Sequence, residues 1–260
     1  MKNRTRLFGE GLFETFRVYG GRKLSFVEAH IDRMEEGCRF FSIPFSRHQA
    51  LVALKGALEE IPDDRDARLR LDLVSYGKDR PEKTGFETSW DLLSQPAQRE
   101  SIAVKLALAP FRRFSGSPLV RFKTTSYLEN IFVLRWARKQ ECFDALFANE
   151  RGEITEGSIS NVFFLENGRI FTPPVGSGLL AGITRMQVTK IAQQIGIPMI
   201  ESAIDLGNLD RFDGAFVTNS VIEMLAVERI GNTGYEISEI VTTLRNAYQR
   251  HMNSFMFSLL

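Results

Sequence analysis

The sequence predicts a mixed α/β protein of two domains, a smaller N-terminal one and a larger, more β-rich C-terminal one. Three observations carry this expectation. Arg68–Ser75 (RLRLDLVS) alternates apolar and polar side chains, the period of a half-buried strand. Ile183–Ile195 places apolar residues at 183, 186, 188, 191 and 195, ahead of Gly196 and Pro198, which is an amphipathic helix with its stop signals. Between them, Pro110–Val120 carries two prolines and Ser-Gly-Ser, a composition suited to a linker. The expected division is a small domain over 1–112, a linker over 113–122 and a larger domain over 123–260.

Taken in order, Leu12–Val18 alternates as a strand, and Gly20-Gly21 turns into Lys23–Phe26. Glu28–Phe40 reads as a helix through Ile31, Met34 and Cys38, stopping before Pro44. Ser46 then caps a second helix through Leu51, Leu54 and Leu58. After the 68–75 strand, residues 77–100 are rich in Gly, Pro, Ser and charge and read as a long exposed loop, whose role the sequence leaves open. Ile102–Ala109 is a strand candidate, and Tyr127–Gln140 is helix-like. Strands are expected at Asp144–Ala148, Asn161–Leu165 and Ile170-Phe171, with Asn167-Gly168 as a tight turn. Beyond the 183–195 helix come strands near Pro198–Glu201, Ala215–Thr218 and Leu225–Arg229, and a final helix over Ser238–Met252.

Charge narrows the function classes. Thirty-three Lys and Arg against thirty-two Asp and Glu leave a net charge of +1, which offers no electrostatic case for nucleic acid or an anionic membrane. Two cysteines, Cys38 and Cys142, cannot build a disulfide framework and read as buried free thiols of a reducing compartment. The three histidines are scattered without ligands at metal spacing, so no metal site is expected. The N-terminal residues lack a signal-peptide h-region, and no stretch approaches eighteen uninterrupted apolar residues. The expectation is a cytoplasmic protein.

Phosphate-cradling P-loops, GxGxxG after a strand, GxSxG and HExxH are all missing. Four other constellations remain. Lys123, in Phe122-Lys123-Thr124-Thr125-Ser126-Tyr127, stands between a linker and an apolar helix; partial desolvation there favours the neutral amine that a Schiff base requires. Taken alone it reads more readily as a solvated surface lysine capping a loop. Glu156 stands in a run of small and polar residues, Ile154–Phe163, where a flat ligand can approach the backbone and a carboxylate can keep a ring nitrogen protonated. An ordinary turn glutamate is the alternative. Gly182-Ile183-Thr184 opens the clearest helix, whose free N–H groups suit an anion, or simply cap it. Thr218-Asn219-Ser220 ends an apolar strand with groups able to complete a phosphate cup, though strand ends are often polar for turn reasons.

In this order, the segments resemble the class IV aminotransferase family, the fold type IV pyridoxal phosphate enzymes, from about Phe8 to about Val227. The family holds branched-chain and D-amino-acid aminotransferases and 4-amino-4-deoxychorismate lyase. Phe8–Thr15 (FGEGLFET) looks like its N-terminal signature strand, and His30-Ile31-Asp32-Arg33 like its HxxR motif, which implies that Arg33 clamps the cofactor phosphate. The resemblance implies Lys123 as the Schiff-base lysine and Tyr127 beside the cofactor. It also implies Glu156 on the pyridine nitrogen, with Gly182, Ile183 and Thr184 and then Asn219 and Ser220 around the phosphate. Arg80 is spaced like an arginine that binds substrate carboxylate in the lyases.

The implied cofactor is pyridoxal 5′-phosphate and the implied assembly a homodimer acting on a small amino-group substrate. The activity implied is transfer of an amino group between an amino acid and a keto acid. One alternative is the lyase reaction, which eliminates pyruvate to give 4-aminobenzoate; another is an inactive relative kept as a binding protein. Asn219, where branched-chain enzymes usually carry glycine, leans toward the lyases.

Overall fold

The computed structural model describes residues 1–93 and 103–259, which form two compact units, neither continuous in sequence. The first takes in residues 1–93, 122–127 and 252–259; the second, residues 103–121 and 128–251.

The first unit is a four-stranded antiparallel sheet covered by two helices. Strand β1 (Lys2–Asn3), helix α1 (Arg4–Phe8), β2 (Gly11–Val18) and β3 (Leu24–Ser25) lead to helices α2 (Val27–Phe40) and α3 (Arg47–Glu60). Ser46 caps α3 as expected, its side chain accepting from the Gln49 N–H at 3.4 Å. In the sheet, β4 (Ala67–Gly77) pairs with β2 on one edge and with β5 (Lys83–Leu92) on the other, from Tyr76↔Lys83 to Ala67↔Leu92. Alternation sends Leu12, Phe16 and Val18 of β2 and Leu69, Leu71 and Leu73 of β4 to one face. There they pack with Ile31 and Met34 of α2 and Leu54 and Leu58 of α3. Each such burial stabilises by roughly 1.5–3 kcal/mol.

Strand β5 corrects the expected 77–100 loop over residues 83–92; residues 94–100 lie outside the described residues. Gly85 and the charged residues of KTGFETSWDL hide its period, yet Phe86 and Trp90, four apart, pack against the core.

The second unit is built on a nine-stranded mixed sheet. Its elements in chain order are β6 (Val104–Arg113), α4 (Leu128–Lys139), β7 (Asp144–Asn149), β8 (Ile154–Gly157), β9 (Asn161–Glu166), β10 (Arg169–Thr172) and α5 (Ile183–Gln194). Then follow β11 (Met199–Glu201), β12 (Gly214–Asn219), β13 (Glu223–Ile230), β14 (Thr233–Gly234) and α6 (Glu239–Asn253), whose last two residues count with the first unit. The sheet order is β11-β10-β9-β12-β13-β6-β7-β8, with β14 on β13. Strand β6 runs on through Pro110 to Arg113, residues whose composition suggested a linker. The sheet tolerates the proline because the register against β7 jumps between Leu108 and Arg112, a break in the ladder where a missing N–H costs no bond.

One face of this sheet buries Val162, Phe164, Ala215, Val217, Leu225 and Val227. On the other face Phe163 and Phe216 stack with ring centroids 4.6 Å apart. Helix α5 starts and stops where the sequence predicts, with Gly182 as N-cap and Gly196 at φ +75° just past its end. Cys38 and Cys142 are both buried. Among the described residues, no helix is long and apolar enough to cross a membrane.

Candidate active site

The lysine's position follows from backbone pairing. Residues 122–127 lie along the edge of β2: Leu12 bridges Thr124, the Phe13 N–H donates to the Lys123 carbonyl at 2.9 Å, and the Thr125 N–H donates to the Gly11 carbonyl at 3.0 Å. Gly9 permits this. Its φ of +67° suits glycine, and a Cβ there would stand 2.2 Å from Ser126 Oγ. The Thr125 hydroxyl donates to the Gly9 carbonyl at 2.8 Å, and Phe122 packs against Phe40 and Phe41.

Lys123 Nζ thereby lies 4.3 Å from the centroid of the Phe13 ring and 5.6 Å from that of Tyr127, two rings that meet edge to face at 5.0 Å. The Arg70 guanidinium sits 3.6 Å from the same Phe13 centroid and is gripped by Asp72 at 2.6–3.0 Å. Arg80 is elsewhere in this unit. It is exposed on the β4–β5 turn, beside a cavity lined by Glu10, Phe41, Pro44 and Glu82 that neither Lys123 nor Tyr127 lines.

Arg33 projects from α2 onto Glu14, with Nε 2.8 Å from Oε1 and Nη2 2.6 Å from Oε2; His30 Nδ1 is 2.8 Å from the same Oε2. Glu14 is 1% exposed on the core-facing side of β2. Burial alone would push its carboxyl up, but the charge of Arg33 and the hydrogen bonds from His30 and Arg33 outweigh that and hold it at about 2. Burial pushes His30 down, Glu14 pulls it partly back, and the charges of Arg33 and Lys123 push it down again. The imidazole is neutral at pH 7, so Nδ1–H donates to the carboxylate.

In the second unit, Glu156 sits on β8, a fully buried strand where the sequence allowed an ordinary turn. The Arg113 Nη1 donates to Glu156 Oε1 at 3.3 Å, and the Leu180 N–H and the Asn161 side-chain amide donate to Oε2 at 3.1 and 3.4 Å. Arg113 also binds Glu129 and Asn130, each at 2.7 Å, and its guanidinium lies 3.4 Å over the Phe147 ring. The link from β8 to β9 is clamped by buried Asp144. Its carboxylate accepts from the N–H groups of Ser158 and Ile159 and from the hydroxyls of Ser158 and Ser160. Burial pushes the Asp144 carboxyl up against those donors.

The α5 start abuts this link. Asn161 holds the Leu180 carbonyl at 3.0 Å, and a Cβ on Gly182 would fall 2.0 Å from Asn161 Oδ1. Ile183 and Thr184 are buried at the first turn. Asn219 ties the other loop to the same link: its amide donates to the Ile159 carbonyl at 3.0 Å, and its Oδ1 accepts from the Val221 and Ile222 N–H groups. Ser220, next to it, is half-buried.

The first unit therefore gathers Arg33, Lys123 and Tyr127, and the second gathers Glu156, Gly182, Ile183, Thr184, Asn219 and Ser220. Sequence reasoning missed Phe13, Glu14, Arg70, Arg113, Asp144 and Asn161. For Glu14 a signal existed: it takes an inward slot between Leu12 and Phe16, where alternation calls for an apolar residue. Arg113 carried none, since a linker arginine reads as solvated.

Known proteins resemble the chain over nearly its full length. The sequence pattern of amino-transferase class IV matches residues 11–230. Aminodeoxychorismate lyase of Bacillus subtilis is 29% identical over 265 residues, covering 96% of this chain and 88% of the relative. The crystal structure of a putative 4-amino-4-deoxychorismate lyase from Legionella pneumophila superposes with a TM-score of 0.82 at 27% identity, over 96% of this chain and 94% of that one. A branched-chain aminotransferase from the thermophilic archaeon Thermoproteus uzoniensis, solved with norvaline, superposes with a TM-score of 0.87, over 99% and 93% of the two chains. At 21% identity, that likeness speaks for the fold alone.

Proposed function

The chain belongs to the class IV aminotransferase family, whose members are pyridoxal-phosphate-dependent aminotransferases or aminodeoxychorismate lyases, and from that premise we propose that it binds pyridoxal 5′-phosphate and transfers the amino group of a small amino-acid substrate to a keto acid. The observation that carries the reading is Glu156, a buried carboxylate held by Arg113, Asn161 and the Leu180 N–H. Its place, buried on β8 and tied to the segment that leads into α5, suits a carboxylate that also keeps a ring nitrogen protonated.

The residues present fit the cofactor. Thr218 Oγ1 is buried without a hydrogen-bond partner among the described residues, and antiparallel register sets Thr218 opposite Asn161, whose amide donates to Glu156. Such a hydroxyl is what a bound polar group satisfies. Pyridoxal 5′-phosphate supplies an aldehyde that takes up the substrate amine and a pyridinium ring that draws off electron density at the substrate Cα. Lys123 would hold the cofactor through its side-chain amine and, once displaced by the substrate amine, would be the group that moves the substrate Cα proton. Glu156 would accept from the ring N–H and keep that nitrogen protonated. Arg33, the α5 N–H groups of Ile183 and Thr184, and Ser220 would supply the donors for the cofactor phosphate. Phe13 and Tyr127 shield the Lys123 amine from water.

A second reading, elimination of pyruvate from aminodeoxychorismate, has its own support in the Bacillus relative and the Legionella structure. It shares the first proton transfer and the same residues. A homodimer completes the reading on the family resemblance, and a cytoplasmic location on Cys38 and Cys142 as free thiols of a reducing compartment.

The test is a panel of amino donors scored for keto acid, run beside an assay of aminodeoxychorismate for 4-aminobenzoate. Keto acid from a donor supports transamination, and 4-aminobenzoate alone selects the lyase. A protein that stays colourless with added pyridoxal 5′-phosphate and leaves both assays blank sinks both readings.

A further inference from the structure

Glu14 has no part in the chemistry above, yet it occupies a slot that folding would fill with an apolar side chain. On β2, Leu12, Phe16 and Val18 face the core of the first unit, and Glu14 shares their face between Leu12 and Phe16. A charged carboxylate there is expensive, and replacing a buried ion pair by packed apolar groups often stabilises a protein. Stability alone is a weak reason to keep it.

What the carboxylate does is geometric. Both of its oxygens receive Arg33, at 2.8 Å from Nε and 2.6 Å from Nη2, which fixes the plane of the guanidinium rather than only its charge. Oε2 also receives His30, whose ring packs at 4.5 Å against Phe16. His30 and Arg33 lie three apart on α2, on adjacent turns of one face, so a single carboxylate from β2 locks both.

We infer that Glu14 is a positioning residue: it holds the Arg33 guanidinium in one orientation so that its other edge meets an anionic group, the phosphate of the cofactor under the function proposed above, on which this inference rests. Arg33 without Glu14 keeps its charge but loses its fixed plane, and bidentate recognition of a phosphate depends on that plane.

The experiment is a double-mutant cycle on affinity for pyridoxal 5′-phosphate, read by equilibrium dialysis, with melting temperature recorded for each protein. The proteins are wild type, E14Q, R33M and E14Q/R33M; the last removes both charges together, which spares the fold an unpaired ion. Glu14→Gln should weaken binding about ten- to hundredfold, the range of a charge-assisted contact. The double variant should bind as weakly as R33M and no more so, because Glu14 acts through Arg33. Where E14Q does not fold, E14D takes its place; it keeps the charge and draws Arg33 back by one methylene, with loss of affinity expected again. Unchanged affinity in E14Q or E14D, with only the melting temperature lowered, overturns the inference. So does a double variant whose loss is the product of the single losses. A wild type that does not bind pyridoxal 5′-phosphate fails the proposed function instead, a separate outcome.

Discussion

Arg113 donates to Glu156 at 3.3 Å while its guanidinium lies 3.4 Å over the ring of Phe147. Its side chain is 4% exposed, and Glu156 is nearly as buried. Arg113→Met removes the guanidinium that donates to that carboxylate. The expected cost is about 3–5 kcal/mol of folding stability, read by urea denaturation, together with weaker retention of pyridoxal 5′-phosphate. Full stability in the variant would mean that Glu156 is solvated in solution.

Lys123 is the covalent attachment point of the proposed function. Borohydride treatment of wild type in pyridoxal 5′-phosphate should add one reduced cofactor to the peptide holding Lys123, by mass spectrometry. Lys123→Ala should take up none and lose activity by at least about a thousandfold, the scale of removing a nucleophile that also carries the proton. Labelling of another lysine in wild type would move the chemistry elsewhere.

Gly182→Ala would set a methyl carbon 2.0 Å from Asn161 Oδ1. Asn161 must then release Glu156 and the Leu180 carbonyl, at a cost of about 1–3 kcal/mol. Calorimetry should show the lower melting temperature, and dialysis a weaker cofactor. An unchanged pair of values would show that the α5 start shifts freely.

Acid should expose Glu14. Its folded value, about 2, lies below the ordinary 4.5, so its stabilisation is complete above about 4.5 and is lost as pH falls toward 2. The shift corresponds to about 3 kcal/mol. His30, lowered from 6.5, acts in the same direction from slightly higher pH: stability falls as the unfolded imidazole takes its proton. Urea titrations between pH 7 and 3 should show wild type losing more stability than E14Q. Parallel curves would contradict the buried ion pair.

Thr218 offers a two-sided test. Its hydroxyl is buried, 1% exposed, and without a partner among the described residues. Thr218→Val removes an unsatisfied donor and should raise the melting temperature of the cofactor-free protein, while weakening the cofactor severalfold. Both quantities moving in the same direction would refute a ligand-facing role.

Legibility in the sequence followed the source of each signal. Periodicity set α5 to within a residue, because its apolar stripe and Gly196 act locally. It missed β5, where Gly85 and charge obscure a pattern that only pairing with β4 completes. The motif order singled out Lys123 and Glu156, since the proposed chemistry needs an amine and a carboxylate in that order. It could not find Arg113 or Asn161, whose roles come from tertiary partners 43 and 5 residues from Glu156. Spacing suggested Arg80 for the substrate carboxylate, whereas Arg70 is the arginine that shares the Phe13 ring with Lys123.

The pairing of Leu12 with Thr124 bears on how the chain folds. A nascent chain that has reached only β5 leaves the 122–127 side of β2 with unpaired N–H and C=O groups, an edge open to wrong partners. The same chain lacks the partner of β3, because β15 (Met256–Phe257) comes from near the end of the described residues. Closure over such spans is slow. The first unit to leave the ribosome is therefore completed only by segments made after most of the second.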